Sequence, residues 1–256
     1  MLPRTLLVAA LCAFPLAAQT DPLSLTSPDG QIQFRVAIFL PHQDYALLRP
    51  GYEITYRGKP VFETSYLGLK IYEQDPILGE NTGLTGHKSG VARENPRYNW
   101  LLAEYMQNGS LGRRLTLEVR AYNDGIAFRY IVPKTPPLDD LLISDEATEF
   151  HFAPGAKVSA SDTGAGEIKL PFVTEVPGAA WVEITEARIP NYPAMGLQHL
   201  SPHVLGSTLP ENGVDPNTAV STVTPMTCPW RVILIASDRA GLNDSIRPSL
   251  EAEPRR

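Results

Sequence analysis

Apolar residues recur at every second position over much of the chain, the spacing of strands that bury one face. Across residues 31–39, Ile32, Phe34, Val36 and Ile38 alternate with Gln33, Arg35 and Ala37. Tyr52, Ile54 and Tyr56 alternate with Glu53 and Thr55, and Arg57-Gly58-Lys59-Pro60 then turns the chain towards Leu67, Leu69 and Ile71, which predicts a hairpin. A second hairpin is predicted where Leu115, Leu117, Val119 and Ala121 lead through Asn123-Asp124-Gly125 into residues 126–131; Asp-Gly suits the positive φ of a tight turn. Further strands are expected at 149–152, 180–184 and 231–236. No window carries a long stripe at 3.6-residue spacing, and 24 Pro and 19 Gly punctuate the short apolar runs. The pattern predicts an all-β, antiparallel fold of two stacked sheets. Residues 202–228, rich in Ser, Thr, Asn and Pro, are expected to form a long irregular loop.

The two ends break the pattern. Arg4 precedes an apolar run, and Leu16-Ala17-Ala18 offers small residues for cleavage before Gln19. This predicts a signal peptide over 1–18 and a secreted or periplasmic chain. The run is shorter than the roughly 20 residues that cross a bilayer, so no membrane span is expected. Cys12 follows Ala10-Leu11, a poor match to lipid attachment. Residues 19–245 form the expected domain, and 246–256, with Pro and charge, are expected to be a disordered tail or the beginning of a linker.

Charge and cysteine narrow the chemistry. A formal net charge of −6 without charge runs gives no electrostatic footprint for nucleic acid. Past the leader only Cys228 remains, so no internal disulfide is available. Asp162-Thr163-Gly164 occurs once and follows polar residues, whereas an aspartic protease needs two such carboxylates sharing a proton. His199 and His203 stand four apart with Pro202 between them and no third ligand at a zinc spacing. Trp230 opens an apolar strand and is expected in the core. Glu186, by residue type alone, is a carboxylate on an edge strand facing water.

Several segments, in order, resemble the N-terminal domain of glycoside hydrolase family 97. They are Ser27-Pro28-Asp29-Gly30; Tyr56-Arg57-Gly58-Lys59-Pro60-Val61 with Leu67-Gly68-Leu69; Arg120-Ala121-Tyr122-Asn123-Asp124-Gly125-Ile126-Ala127-Phe128-Arg129-Tyr130; Thr185-Glu186-Ala187-Arg188-Ile189-Pro190-Asn191-Tyr192-Pro193-Ala194-Met195; and Pro229-Trp230-Arg231-Val232-Ile233. The stretch 89–108 and the residues from 245 onward do not match. The resemblance implies a β super-sandwich of the galactose mutarotase kind that packs on a (β/α)₈ glycosidase barrel, its partner in the same chain, in an α-glucosidase or α-galactosidase. It further implies that the two catalytic carboxyl groups, on which glycoside hydrolysis depends, lie on the barrel. No barrel segment occurs within these 256 residues, so the chain alone is expected to lack activity.

The resemblance also implies a calcium ion near the barrel carboxylates, with Glu186 as this domain's ligand and Glu183 as the substitute. A calcium ion needs 6–8 oxygens, so one carboxylate alone would hold it weakly or not at all. Trp181, Asn191 and Tyr192 are the expected carbohydrate contacts. The alternative is a free-standing carbohydrate-binding β sandwich without catalysis.

Overall fold

The computed structural model describes residues 21–40, 47–109, 112–136, 138–164, 166–213 and 215–252, without the side chains of 160 and 162. The predicted signal peptide lies outside the described residues. Among the described residues nineteen strands follow in order: β1 Leu23–Thr26, β2 Ile32–Phe39, β3 Arg49–Tyr56, β4 Lys59–Tyr66, β5 Leu69–Ile71, β6 Gln74–Ala92, β7 Tyr98–Gln107, β8 Arg114–Tyr122, β9 Gly125–Val132 and β10 Asp140–Glu146. They continue with β11 Glu149–His151, β12 Ile168–Lys169, β13 Phe172–Val176, β14 Ala180–Ala187, β15 Gly196–Ser201, β16 Val204–Thr208, β17 Val220–Val223, β18 Met226–Thr227 and β19 Trp230–Ala236.

Every pairing is antiparallel. An 11-stranded sheet runs β13-β14-β19-β9-β8-β7-β6-β5-β10-β17, with β18 beside β9. Against it packs the four-stranded sheet β1-β2-β3-β4, and a second four-stranded sheet, β11-β16-β15-β12, completes the layer. Alternation places Ile32, Phe34, Val36, Tyr52 and Ile54 in the shared core, where Tyr52 of β3 meets Phe128 of β9 at 5.4 Å between ring centroids. The all-β sandwich expected from the period-two pattern is therefore the fold observed. No helix among the described residues is long and apolar enough to cross a membrane.

Three expectations are corrected. Residues 202–228 are not one loop, since they contain β16, β17 and β18. Gly125 does not carry a positive φ. Nor are residues 246–251 disordered: they form a helix, Ile246–Glu251, whose buried Ile246 and Leu250 join Ala187, Trp230, Val232 and Leu234 in a second apolar cluster on the outer face of β14 and β19. Polar neighbours mask this two-residue apolar stripe, and only a sheet already displaying Val232 and Leu234 makes it worth ordering. Ile246→Ala is expected to lower unfolding free energy by about 2 kcal/mol, the low end for a deleted core side chain because a short peripheral helix can settle into the gap; urea denaturation reads it.

Candidate functional site

Strand parity builds the site. Glu186 of β14 lies directly opposite Arg231 of β19. Side chains alternate across a strand, so Val182, Ile184 and Glu186 face the sandwich core while Trp181, Glu183 and Ala187 face outward. The same rule turns Arg231, Ile233 and Ile235 inward. β14 sits between β13 and β19 rather than at an edge, and Glu186 is 4% exposed. The water-facing reading of Glu186 is thus corrected by its strand's place in the sheet.

Arg231 stands in a strand buried at every position. An unpaired charge there would be prohibitive, and the fold answers with two carboxylates. Arg231 Nε donates to Glu146 Oε2 at 3.0 Å and Nη2 to Glu146 Oε1, a two-pronged contact, while Nη1 donates to Glu186 Oε2 at 2.6 Å. Burial alone would lower the guanidinium pKa, but Glu146 above all holds it above its ordinary value. Glu146, on the last residue of β10, also accepts from Tyr192 Oη at 2.8 Å and from Thr148 Oγ1 at 3.4 Å, and Thr148 is tied to Tyr130 Oη at 2.7 Å. The Tyr192 hydroxyl additionally reaches Cys228 Sγ at 3.6 Å. Burial, with Glu146 adding to it, pushes the Cys228 thiol up to about 12, so the sulfur stays protonated and unreactive.

The remaining contacts of Glu186 point towards the surface. Arg188 Nε donates to Oε1 at 3.1 Å, and the Met195 N–H lies 3.3 and 3.2 Å from Oε1 and Oε2. The turn that returns Met195 to the carboxylate passes through Asn191, exposed and left-handed at φ 62°, a conformation that asparagine tolerates better than most residues. Glu146, Glu186, Arg231 and Arg188 make a quartet of two negative and two positive charges.

That donor set does not fit a calcium ion as it stands. A carboxylate offers about four lone-pair sites, and two guanidinium donors plus one amide already occupy Glu186. Among the described residues no group of three His, Cys, Asp or Glu side chains is placed to hold a metal.

The structure separates the residues expected to act together. Trp181 is five residues from Glu186 on the opposite face, roughly 16 Å along the strand at about 3.3 Å per residue. It lines a cavity of about 380 Å³ with Tyr56, Lys59 and Glu175, and Arg239 lies 5.7 Å over its ring. Glu183 also faces outward, where burial raises its pKa and Asp244 adds to the effect against Arg247. Tyr192 joins the Glu186 cluster only through Glu146 and Arg231, its hydroxyl turned inward to Glu146, while Asn191 is exposed in the turn that leads back to Met195. His199 Nε2 pairs with Thr163 Oγ1 at 2.7 Å, whereas His203 is exposed. Trp230 is buried as expected, but in the outer apolar cluster rather than between the sheets, with the guanidinium groups of Arg120 and Arg129 4.5 and 4.1 Å from its ring centroid.

Sequence reasoning missed Glu146 as a partner and Arg231 as the centre. An arginine inside an otherwise apolar strand was the available signal, because such a residue demands carboxylates. Which carboxylates could not be read, since Glu146 lies 85 positions away.

Comparisons with known proteins place the chain in a family. The family described as "Glycosyl-hydrolase 97 N-terminal" matches residues 25–165 and 154–246. A retaining alpha-galactosidase of Bacteroides thetaiotaomicron is 25% identical over 75% of this chain and 32% of its own length. Among solved structures, a glycoside hydrolase family 97 enzyme from Pseudoalteromonas sp. strain K8, in complex with acarbose, superposes with a TM-score of 0.77 at 23% identity, over 91% of this chain and 38% of that one. A beta-arabinopyranosidase follows at a TM-score of 0.68 and 20% identity, over 84% of this chain and 40% of that one. The chain therefore spans about a third of the curated relative and about two fifths of the structural neighbours.

Proposed function

This chain belongs to the N-terminal domain family of the glycosyl hydrolases 97, and from that premise we propose that it is an exported accessory domain of an α-glycosidase, packing on a catalytic (β/α)₈ barrel and shaping its carbohydrate cleft. The supporting observation is that the family match covers nearly all of the described sandwich while the relatives are about 2.3 to 2.4 times as long as this chain. The docking end is the end of β14, where Arg188 and Asn191 are exposed and Tyr192, Met195 and Glu186 are fixed beneath them. Its polar character suits a domain–domain face within one chain, which is commonly more polar than an obligate interface. Glu186 is the group that would reach a calcium ion shared with the barrel, and it could do so only through the oxygen that Arg188 now holds.

The reading is tested by adding the chain to a separately produced family barrel. Expected are no hydrolysis of α-glucosides or α-galactosides by the chain alone, and association with the barrel that weakens as salt is raised. Absence of association, together with binding of oligosaccharide to the chain alone, would favour the free-standing carbohydrate-binding module instead. The cavity beside Trp181 is the observation on that side, since an indole face offers a sugar ring a flat apolar surface.

A further inference from the structure

We infer that Arg188 is a chain-borne cation occupying the place on Glu186 that a metal ion would take, so that this domain balances its buried charge without calcium. The inference rests on the proposed role of Glu186 and adds a competitor to it. Three observations carry it.

First, the buried trio of Glu146, Glu186 and Arg231 holds two carboxylates against one guanidinium, with side chains 0, 3 and 1% exposed. An excess negative charge in that setting is costly unless something neutralises it. Second, Arg188 is the only further cation in ion-pair contact with either carboxylate among the described residues, at 3.1 Å from Glu186 Oε1. Third, the Arg188 side chain is 69% exposed although its tip touches a buried oxygen. It therefore reaches the carboxylate from the solvent side, the side from which an ion would arrive. Arg231 cannot serve in this way, because it is itself fully enclosed.

The geometry makes Arg188 removable and Arg231 permanent. Displacing Arg188 needs no core rearrangement; it frees Oε1 and restores a net negative charge that a divalent cation would satisfy. While Arg188 stays, a calcium ion approaching Oε1 meets a guanidinium.

The test compares melting temperatures of the whole chain and of Arg188→Asp, each in chelator and in 10 mM calcium chloride. The unaltered chain is expected to shift by less than about 1 °C. Arg188→Asp places a second carboxylate beside Glu186, so its Tm is expected to fall by several degrees in chelator. Calcium is expected to raise it by roughly 3–6 °C, as a site with Kd on the order of 1 mM would at this concentration. Arg188→Gln, which removes the cation without adding an acid, is expected to lie between them in chelator. If the unaltered chain gains as much from calcium as Arg188→Asp, Arg188 does not hold the place and the inference falls, while Glu186 as a ligand survives. If neither responds, Glu186 does not attract the ion and the proposed calcium role falls with the inference. Docking on a barrel is read without calcium and is unaffected by either result.

Discussion

Arg231→Met is expected to lower the unfolding free energy by about 3–5 kcal/mol, the cost of breaking a buried ion pair by removing one partner. Met fills a comparable volume, so the effect reports charge rather than a cavity. Glu146 and Glu186 would be left without their central cation, Glu146 wholly enclosed and Glu186 with Arg188 at the surface as its remaining ion-pair partner. At about 2–4 °C per kcal/mol for a chain of this size, Tm should fall by roughly 6–20 °C. Adding Glu146→Gln and Glu186→Gln to Arg231→Met removes the stranded charges while keeping acceptors for Tyr192, Thr148 and Met195, and should recover part of the loss. A penalty below about 1 kcal/mol for the single change, with no recovery on adding the two Gln substitutions, would show that Arg231 does not organise this end of the sandwich.

How much of this was legible follows from the range of each interaction. Period-two alternation is local, and it marked β2, β3, β8, β9 and most of β14 and β19. The parity of β14 was legible too: Trp181 and Glu186 differ by an odd number of positions, which already puts them on opposite faces. Strands with weak alternation were not visible. Residues 204–208 become β16 only because β11 and β15 flank them, and the helix at 246–251 exists because β14 and β19 offer an apolar outer face. The pairing of Arg231 with Glu146 closes a separation of 85 residues, and no local pattern encodes such a choice. The turn at Asp124-Gly125 was legible in place and misread in cause.

That cause predicts the second large effect. Because Gly125 does not sit in the left-handed region, the expense of a side chain there is one of space. A Cβ built on Gly125 would lie 2.2 Å from the Ile233 carbonyl oxygen and 3.0 Å from the Leu234 Cα. Both are backbone atoms of β19, and neither can rotate away. β9 and β19 are held in register by the pairs Gly125↔Leu234 and Ile126↔Ile233, so relief requires the strands to part or slide. Sliding by one residue would turn Arg231 from Glu146 to the outer face and carry Ile233 out of the core, because side chains alternate. Gly125→Ala is accordingly expected to cost about 3 kcal/mol or more, beyond the usual range for adding a methyl group to a packed interior. Gly58 serves as the control: its φ of 75° needs glycine for conformation, yet nothing lies within 4 Å of a Cβ there. Gly58→Ala should lose only about 1 kcal/mol, the modest strain of a left-handed alanine. Urea denaturation of the two variants side by side decides the matter; equal penalties would mean that the approach of β19 to Gly125 is not what this glycine serves.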